Sequence, residues 1–140
     1  MRADRLEAGL RKAGATLELA YAQRKAAMEE RDRRVDEARK AGCMTSVISS
    51  TLGIDPGRVA HIAEPAGCGM EVMDDDALSS LQRALSAQER YSLAVARVDQ
   101  AMRARDDAIR AARAHGVTYA RLAAWAQTSE GTVYRCLRQR

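Results

Sequence analysis

"VTYARLAAWAQTSEGTVYRCLRQR", residues 117–140, carries two short apolar patterns separated by a polar break. Thr118 is a good N-cap, and Leu122, Ala123 and Ala126 fall on one face of a short helix. The pattern breaks at "QTS", Gln127 to Ser129. Ser129 can cap a new helix, Glu130 adds a favourable first-turn charge, and Val133, Cys136 and Leu137 return an apolar side toward the core. The spacing therefore predicts a helix, a sharp turn and a second helix. Its outward positions are Ser129, Gly131, Thr132, Tyr134, Arg135 and Arg138. Trp125 stands one turn after Arg121 and is expected to pack against a longer helix.

Composition sets the frame for this element. The 140 residues suit one domain or two small ones, and 46% hydrophobic with 30% charged residues argues against disorder. Aromatics are 4% and Phe is absent, so a core must be built from Leu, Val, Ile, Met and much Ala, which favours closely approaching helices. The expected fold is all-α. Net charge is +4, unevenly spread: residues 103–140 hold eight Arg against Asp106, Asp107 and Glu130, net +5. Positive potential gathers at the C-terminal end, as a phosphate-binding surface requires. Of the 23 basic residues only Lys12, Lys25 and Lys40 are lysine, a bias that a GC-rich genome explains as easily as selected chemistry.

Sliding the sequence against itself by 74 positions pairs Arg31–Gly42 with Arg105–Gly116, and twelve of 47 pairs are identical over Leu17–Ala63 against Tyr91–Leu137. Met28 with Met102, Asp32 with Asp106, Gly57 with Gly131 and Val59 with Val133 go beyond shared Ala and Arg content. This reads as a tandem duplication. The expected domains are 1–63, a linker at 64–76, and 77–140. Each half opens with a long helical stripe: Leu6, Leu10, Ala13, Leu17, Ala20, Ala27 and Val35, then Leu81, Leu85, Val95, Met102, Ile109 and Ala112. Gly14, Arg24, Arg31, Gln88, Ser92 and Arg105 interrupt it, which speaks against a regular coiled-coil heptad. A helix of about 38 residues is roughly 57 Å long and cannot hide its stripe alone.

Gly42 and Gly116 are placed to end the long helices in a left-handed conformation. Pro65, Gly67, Gly69 and the cluster Asp74, Asp75 and Asp76 mark the linker, the aspartates capping the next helix; a metal site there is the alternative. A short linker favours an antiparallel pair of long helices with the short modules at opposite ends. The other arrangement is parallel pairing between two copies, a homodimer that brings equivalent modules together.

The last stretch resembles the helix-turn-helix at the DNA-binding end of Hin/resolvase-type recombinases and, more distantly, sigma-factor region 4. That pattern wants an apolar residue followed by Ala, met by Leu122 and Ala123, and an apolar residue six positions after the turn, met by Val133. "SEGTVYR", residues 129–135, is close to the opening of the family's second helix. Gln127 and Thr128 replace the usual glycine and apolar residue of the turn. In the first half, "TSVISSTLGIDPGRVAHI" (residues 45–62) supplies Ile48, Leu52, Gly53, Ile54, Val59 and Ile62, with Ser49 in place of the alanine. Asp55 before Pro56 is a strong helix start. The resemblance covers about 20 to 25 residues per half and brings no catalytic domain.

Such a motif implies double-stranded DNA as partner, its second helix in the major groove and its first helix against phosphates. Base-contacting candidates are Ser129, Gly131, Thr132, Tyr134 and Arg135, with Gly57, Arg58 and His61 in the first half. Arg135 can donate twice to a guanine edge, Thr132 can touch a thymine methyl, and Gly131 allows close approach. Phosphate candidates are Thr118, Tyr119, Arg121 and Arg138, with Thr45 and Ser46 in the first half. The first module is less basic and is expected to bind weakly or not at all. The competing reading is a helical protein-interaction adaptor without DNA binding.

No phosphate-cradling glycine loop, Ser/His/Asp arrangement or paired carboxylates point to an enzyme, and Tyr134 lacks the basic constellation that would make it a nucleophile. Cys43, His61 and Cys68 fall short of a structural zinc set, so neither metal nor cofactor is expected. Three cysteines, Cys43, Cys68 and Cys136, form no disulfide framework, and the first residues lack a secretory signal, so a cytoplasmic, nucleoid-associated location is the expectation.

Overall fold

The computed structural model describes residues 2–63 and 74–139. Among them every regular element is a helix: α1 Arg2–Lys40, α2 Thr45–Leu52, α3 Pro56–Ile62, α4 Asp75–Ala114, α5 Tyr119–Trp125 and α6 Glu130–Arg138. Two long helices are thus each followed by a pair of short ones joined by a tight turn. Pro65, Gly67, Cys68 and Gly69 lie outside the described residues. Of the expected linker's aspartates, Asp74 caps α4 by accepting from the Ala77 amide at 2.8 Å, and Asp75 and Asp76 form the first turn of the helix.

The chain divides into two compact units, and these cut across the sequence halves. Unit 1 combines Met1–Gln23 with Val95–Arg140, and unit 2 is Arg24–Ala94. Each holds one short-helix pair and a segment of both long helices. The physical reason is the one that a lone long helix poses: its stripe must be covered, and the nearest cover is the stripe of the other long helix.

In unit 1 the core is Leu10 of α1, Ile109 and Ala112 of α4, and Leu122, Ala123, Ala126, Val133 and Cys136 of the α5–α6 pair, with Leu6 and Trp125 packed against it. Farther along, Leu17 and Ala20 meet Val98 and Ala101. Rising numbers on α1 meet falling numbers on α4, so the segments are antiparallel. In unit 2, Val35 and Ala38 of α1 gather with Ala77, Leu81 and Ala84 of α4 and with Ile48, Leu52 and Val59 of α2 and α3, again antiparallel. Burying a side chain such as Leu10, Ile109 or Leu122 contributes about 1.5–3 kcal/mol, against about 1 kcal/mol for a helix cap. Packing on the long helices therefore holds the short helices more than their caps do.

The stripes differ from their sequence reading at three kinds of position. Val95 is 38% exposed, while Ala94 and Val98 are buried, so the contact face of α4 lies to one side of the expected line. Arg31 and Arg105, expected to interrupt the face, are instead buried in it. Each grips its own sequence neighbour, Arg31 the Asp32 carboxylate at 2.9 Å and Arg105 that of Asp106 at 3.1 Å, so the cations enter the interface already paired. Gly14, also expected as an interruption, is buried at a close approach: a Cβ there would stand 2.5 Å from the Ala126 carbonyl oxygen. Ser49, in the place of the pattern's alanine, is buried with its hydroxyl donating to the Ile54 carbonyl.

The 74-residue register recurs in several of the hydrogen bonds at the helix ends. Gly42 and Gly116 take φ of 104° and 84°, and the amides after them, Cys43 and Val117, reach back to Ala38 and Ala112. Arg39 and Arg113, in the last turns of α1 and α4, donate to the Cys43 and Val117 carbonyls at 2.9 and 3.0 Å. At the turns between short helices, Ile54 donates to the Ser49 carbonyl and Thr128 to that of Ala123. The left-handed residue is Gly53 in one turn, φ 72°, and Gln127 in the other, φ 56°. The turn geometry is retained although the glycine is not, and an L side chain there carries about 1–2 kcal/mol of strain. Gln127→Gly is accordingly expected to raise stability by about 0.5–1 kcal/mol, the strain relief less the added entropy of an unfolded glycine, read from the urea midpoint. An unchanged or lower midpoint would contradict this account of the turn.

Candidate nucleic-acid interface

The edge of α6 is built by burying one side of a nine-residue helix. Val133 and Cys136 point into the unit 1 core, which leaves Gly131, Tyr134, Arg135 and Arg138 exposed and Thr132 half-buried. Ser129 is the N-cap: its Oγ accepts from the Thr132 amide at 3.1 Å and lies 2.9 Å from Thr132 Oγ1. Arg135 Nη2 in turn donates to Thr132 Oγ1 at 3.3 Å. Three base-contacting candidates are therefore joined in one hydrogen-bonded row. Gly131 is open, a Cβ there meeting only Ser129 Oγ at 3.8 Å.

A second row runs beside the first. Tyr119 and Tyr134 meet edge to face with centroids 5.5 Å apart; the Arg113 guanidinium lies 4.7 Å from the Tyr119 ring, and that of Arg138 lies 6.0 Å from the Tyr134 ring. Two cations thus flank two phenols, contacts that favour one placement of these long side chains. Thr118 Oγ1 accepts from the Arg121 amide at 3.3 Å, so its oxygen is engaged as a cap and its hydroxyl proton stays available to an acceptor. The Arg121 side chain is exposed.

Three arginines of α4 were not among the functional candidates read from the sequence, where Arg105 figured only as an interruption of the stripe. Arg113 carries Tyr119, Arg110 Nη2 donates to the Cys136 carbonyl at 3.3 Å, and Arg105 is buried beside the turn. Arg105 and Arg113 are identical to Arg31 and Arg39 at the 74-residue shift, the sequence signal that could have found them.

In unit 2, Gly57, Arg58, Ala60 and His61 are exposed on α3 over the buried Val59, and Asp55 caps the helix by accepting from the Gly57 amide at 3.2 Å. Ser46 is exposed and Thr45 half-buried at the start of α2, whose N-cap position is Met44, without a side-chain cap. Register equates Arg58 with Thr132, His61 with Arg135, Ala60 with Tyr134 and Thr45 with Tyr119. The aromatic row has no counterpart here.

Burial pushes the thiols of Cys43 and Cys136 up from their ordinary value, so both stay neutral core groups. Among the described residues no three His, Cys, Asp or Glu side chains gather as a metal would need, and no helix is long and apolar enough to cross a membrane. Comparison with protein-family models, with curated proteins and with solved structures gives no match.

Proposed function

We propose that this is a non-enzymatic, sequence-specific double-stranded DNA-binding protein, acting as a bacterial transcriptional regulator or as an accessory factor of a mobile element, with the nucleoid as its place of work. The observation that carries the reading is the α6 edge: Thr132 and Arg135 are tied to the N-cap Ser129 while the opposite face of the helix is locked in the core. A rigid helix presenting pre-set donors, with a glycine at its start, is what major-groove reading needs. Tyr119, Arg121, Arg138 and Thr118 surround it with groups suited to phosphate oxygens. The resemblance to Hin/resolvase-type recombinases supports the same reading. The α3 edge of unit 2 is a second, less basic head, with Arg58 and His61 as its reading pair. No catalytic step is assigned to any residue.

The test is selection of the full chain against random duplexes, followed by binding measured over a salt series. A defined sequence should emerge, its complex should survive competitor DNA, and log K should fall linearly with log salt by about 0.9 for each phosphate neutralised. A helical adaptor gives neither a selected sequence nor a salt slope, and that outcome would refute the proposal.

A further inference from the structure

Beside the turn between α5 and α6, unit 1 contains a cleft of about 490 Å³. Leu17 and Met102 give it apolar surface, Arg105 lines it from α4, and Thr132 and Arg135 line it from α6. Arg105 is only 9% exposed. Its Nε and Nη2 both donate to Asp106 Oδ1, at 3.3 and 3.1 Å, and Nη1 makes no hydrogen bond among the described residues.

The duplicated half shows what such an arginine accepts. Arg31, the equivalent residue of unit 2, makes the same fork to Asp32 Oδ1, at 3.0 and 2.9 Å. There, however, Nη1 donates to Gln88 Oε1 at 3.4 Å, and the guanidinium lies 4.6 Å from the centroid of the Tyr91 ring. At the 74-residue shift Gln88 and Tyr91 correspond to Gly14 and Leu17. Unit 2 covers its arginine with an aromatic ring and a carbonyl-type oxygen of its own; unit 1 has a glycine and a leucine at those two positions, beside a cleft that Tyr21 also lines.

We infer that this cleft binds a small aromatic monocarboxylate, its ring on the Arg105 guanidinium and a carboxylate oxygen accepting from Nη1. An ionised acceptor makes the stronger bond to a guanidinium, and Arg135 on the same wall favours an anion further. Glu18, which also lines the cleft, disfavours a second negative charge on the ligand. Arg135 and Thr132 belong to the proposed DNA-reading edge as well, so ligand and DNA compete for them, and each weakens binding of the other by the same factor. That coupling rests on the proposed function; the ligand site itself does not.

The experiment is titration of the full chain with benzoate, followed through the Met102 methyl resonance and by calorimetry, without DNA. A dissociation constant on the order of 1 mM is expected for so small a ligand. Benzamide and cyclohexanecarboxylate should each bind at least about tenfold more weakly, because one lacks the charge and the other the ring. Leu17→Tyr restores the unit 2 filling and should weaken benzoate at least about tenfold, with helicity retained. Arg105→Lys keeps the charge but loses the flat stacking surface, and should weaken it similarly if Leu17→Tyr does not fold. No saturable Met102 shift by about 10 mM benzoate, equal binding of benzamide, or full affinity in a folded variant overturns the site. Benzoate-dependent loss of DNA affinity is measured separately, so failure of DNA binding and failure of the cleft remain distinguishable.

Discussion

Gly14→Ala is expected to destabilise the protein by about 1–3 kcal/mol, although alanine is the better helix former by about 1 kcal/mol. Both Gly9 and Gly14 lie inside α1, so intrinsic propensity favours alanine equally at both. At Gly9 a Cβ would meet nothing within 4 Å, and Gly9→Ala should gain that increment. At Gly14 it would stand 2.5 Å from the Ala126 carbonyl oxygen and 2.9 Å from its carbon. Those are backbone atoms at the C-cap of α5, which cannot rotate aside as a side chain would. Either α1 lifts or the turn moves, and each opens the packing around Leu10, Ile109 and Leu122. The pair of variants separates propensity from packing in a single urea-unfolding comparison. Equal midpoints for Gly9→Ala and Gly14→Ala would remove the close approach from the account of unit 1.

The same glycine marks where sequence reading reaches and where it stops. Signals confined to one turn of chain were legible: Gly42 and Gly116 as left-handed ends, Thr118, Ser129 and Asp55 as caps, and Val133 and Cys136 as the inward side of α6. Each depends on neighbours three or four residues away, which spacing records directly. Gly14 and Arg31 looked like breaks in a stripe because what faces them comes from elsewhere in the chain: the Ala126 carbonyl against the glycine, and Gln88 and Tyr91 against Arg31, in addition to the neighbouring Asp32 that pairs with it. A period of 3.6 carries no record of which stripe faces which. That is also why two sequence halves became two compact units each made from both halves. Gln127 is the intermediate case: its left-handed φ follows from the register with Gly53, while its side chain alone gives no hint of it.

Arg135→Ala should weaken binding to the selected duplex by about 1–3 kcal/mol and relax preference at one base pair, leaving affinity for unrelated duplexes nearly unchanged. The expectation follows from how the side chain is held. Its Nη2 donates to Thr132 Oγ1, which stands 2.9 Å from the N-cap oxygen of Ser129, so the guanidinium is oriented from the rigid start of α6. One nitrogen is engaged there, and the rest of the fork remains open to a guanine edge. Pre-orientation matters because a free arginine forfeits rotamer entropy when it docks, and this one has given up part of it on folding. Arg121→Ala is the contrasting variant. Arg121 is exposed on α5, outside the Ser129–Thr132–Arg135 row, and a phosphate contact there carries no sequence information. Its removal should lower affinity for all duplexes alike and reduce the salt slope by about one. The two variants must therefore differ in kind: one changes which sequence is chosen, the other how strongly any sequence is held. Should Arg135→Ala lower affinity uniformly, Arg135 would be a phosphate contact and the reading edge would have to shift to Thr132 and Tyr134. An unchanged affinity would take α6 out of the groove altogether.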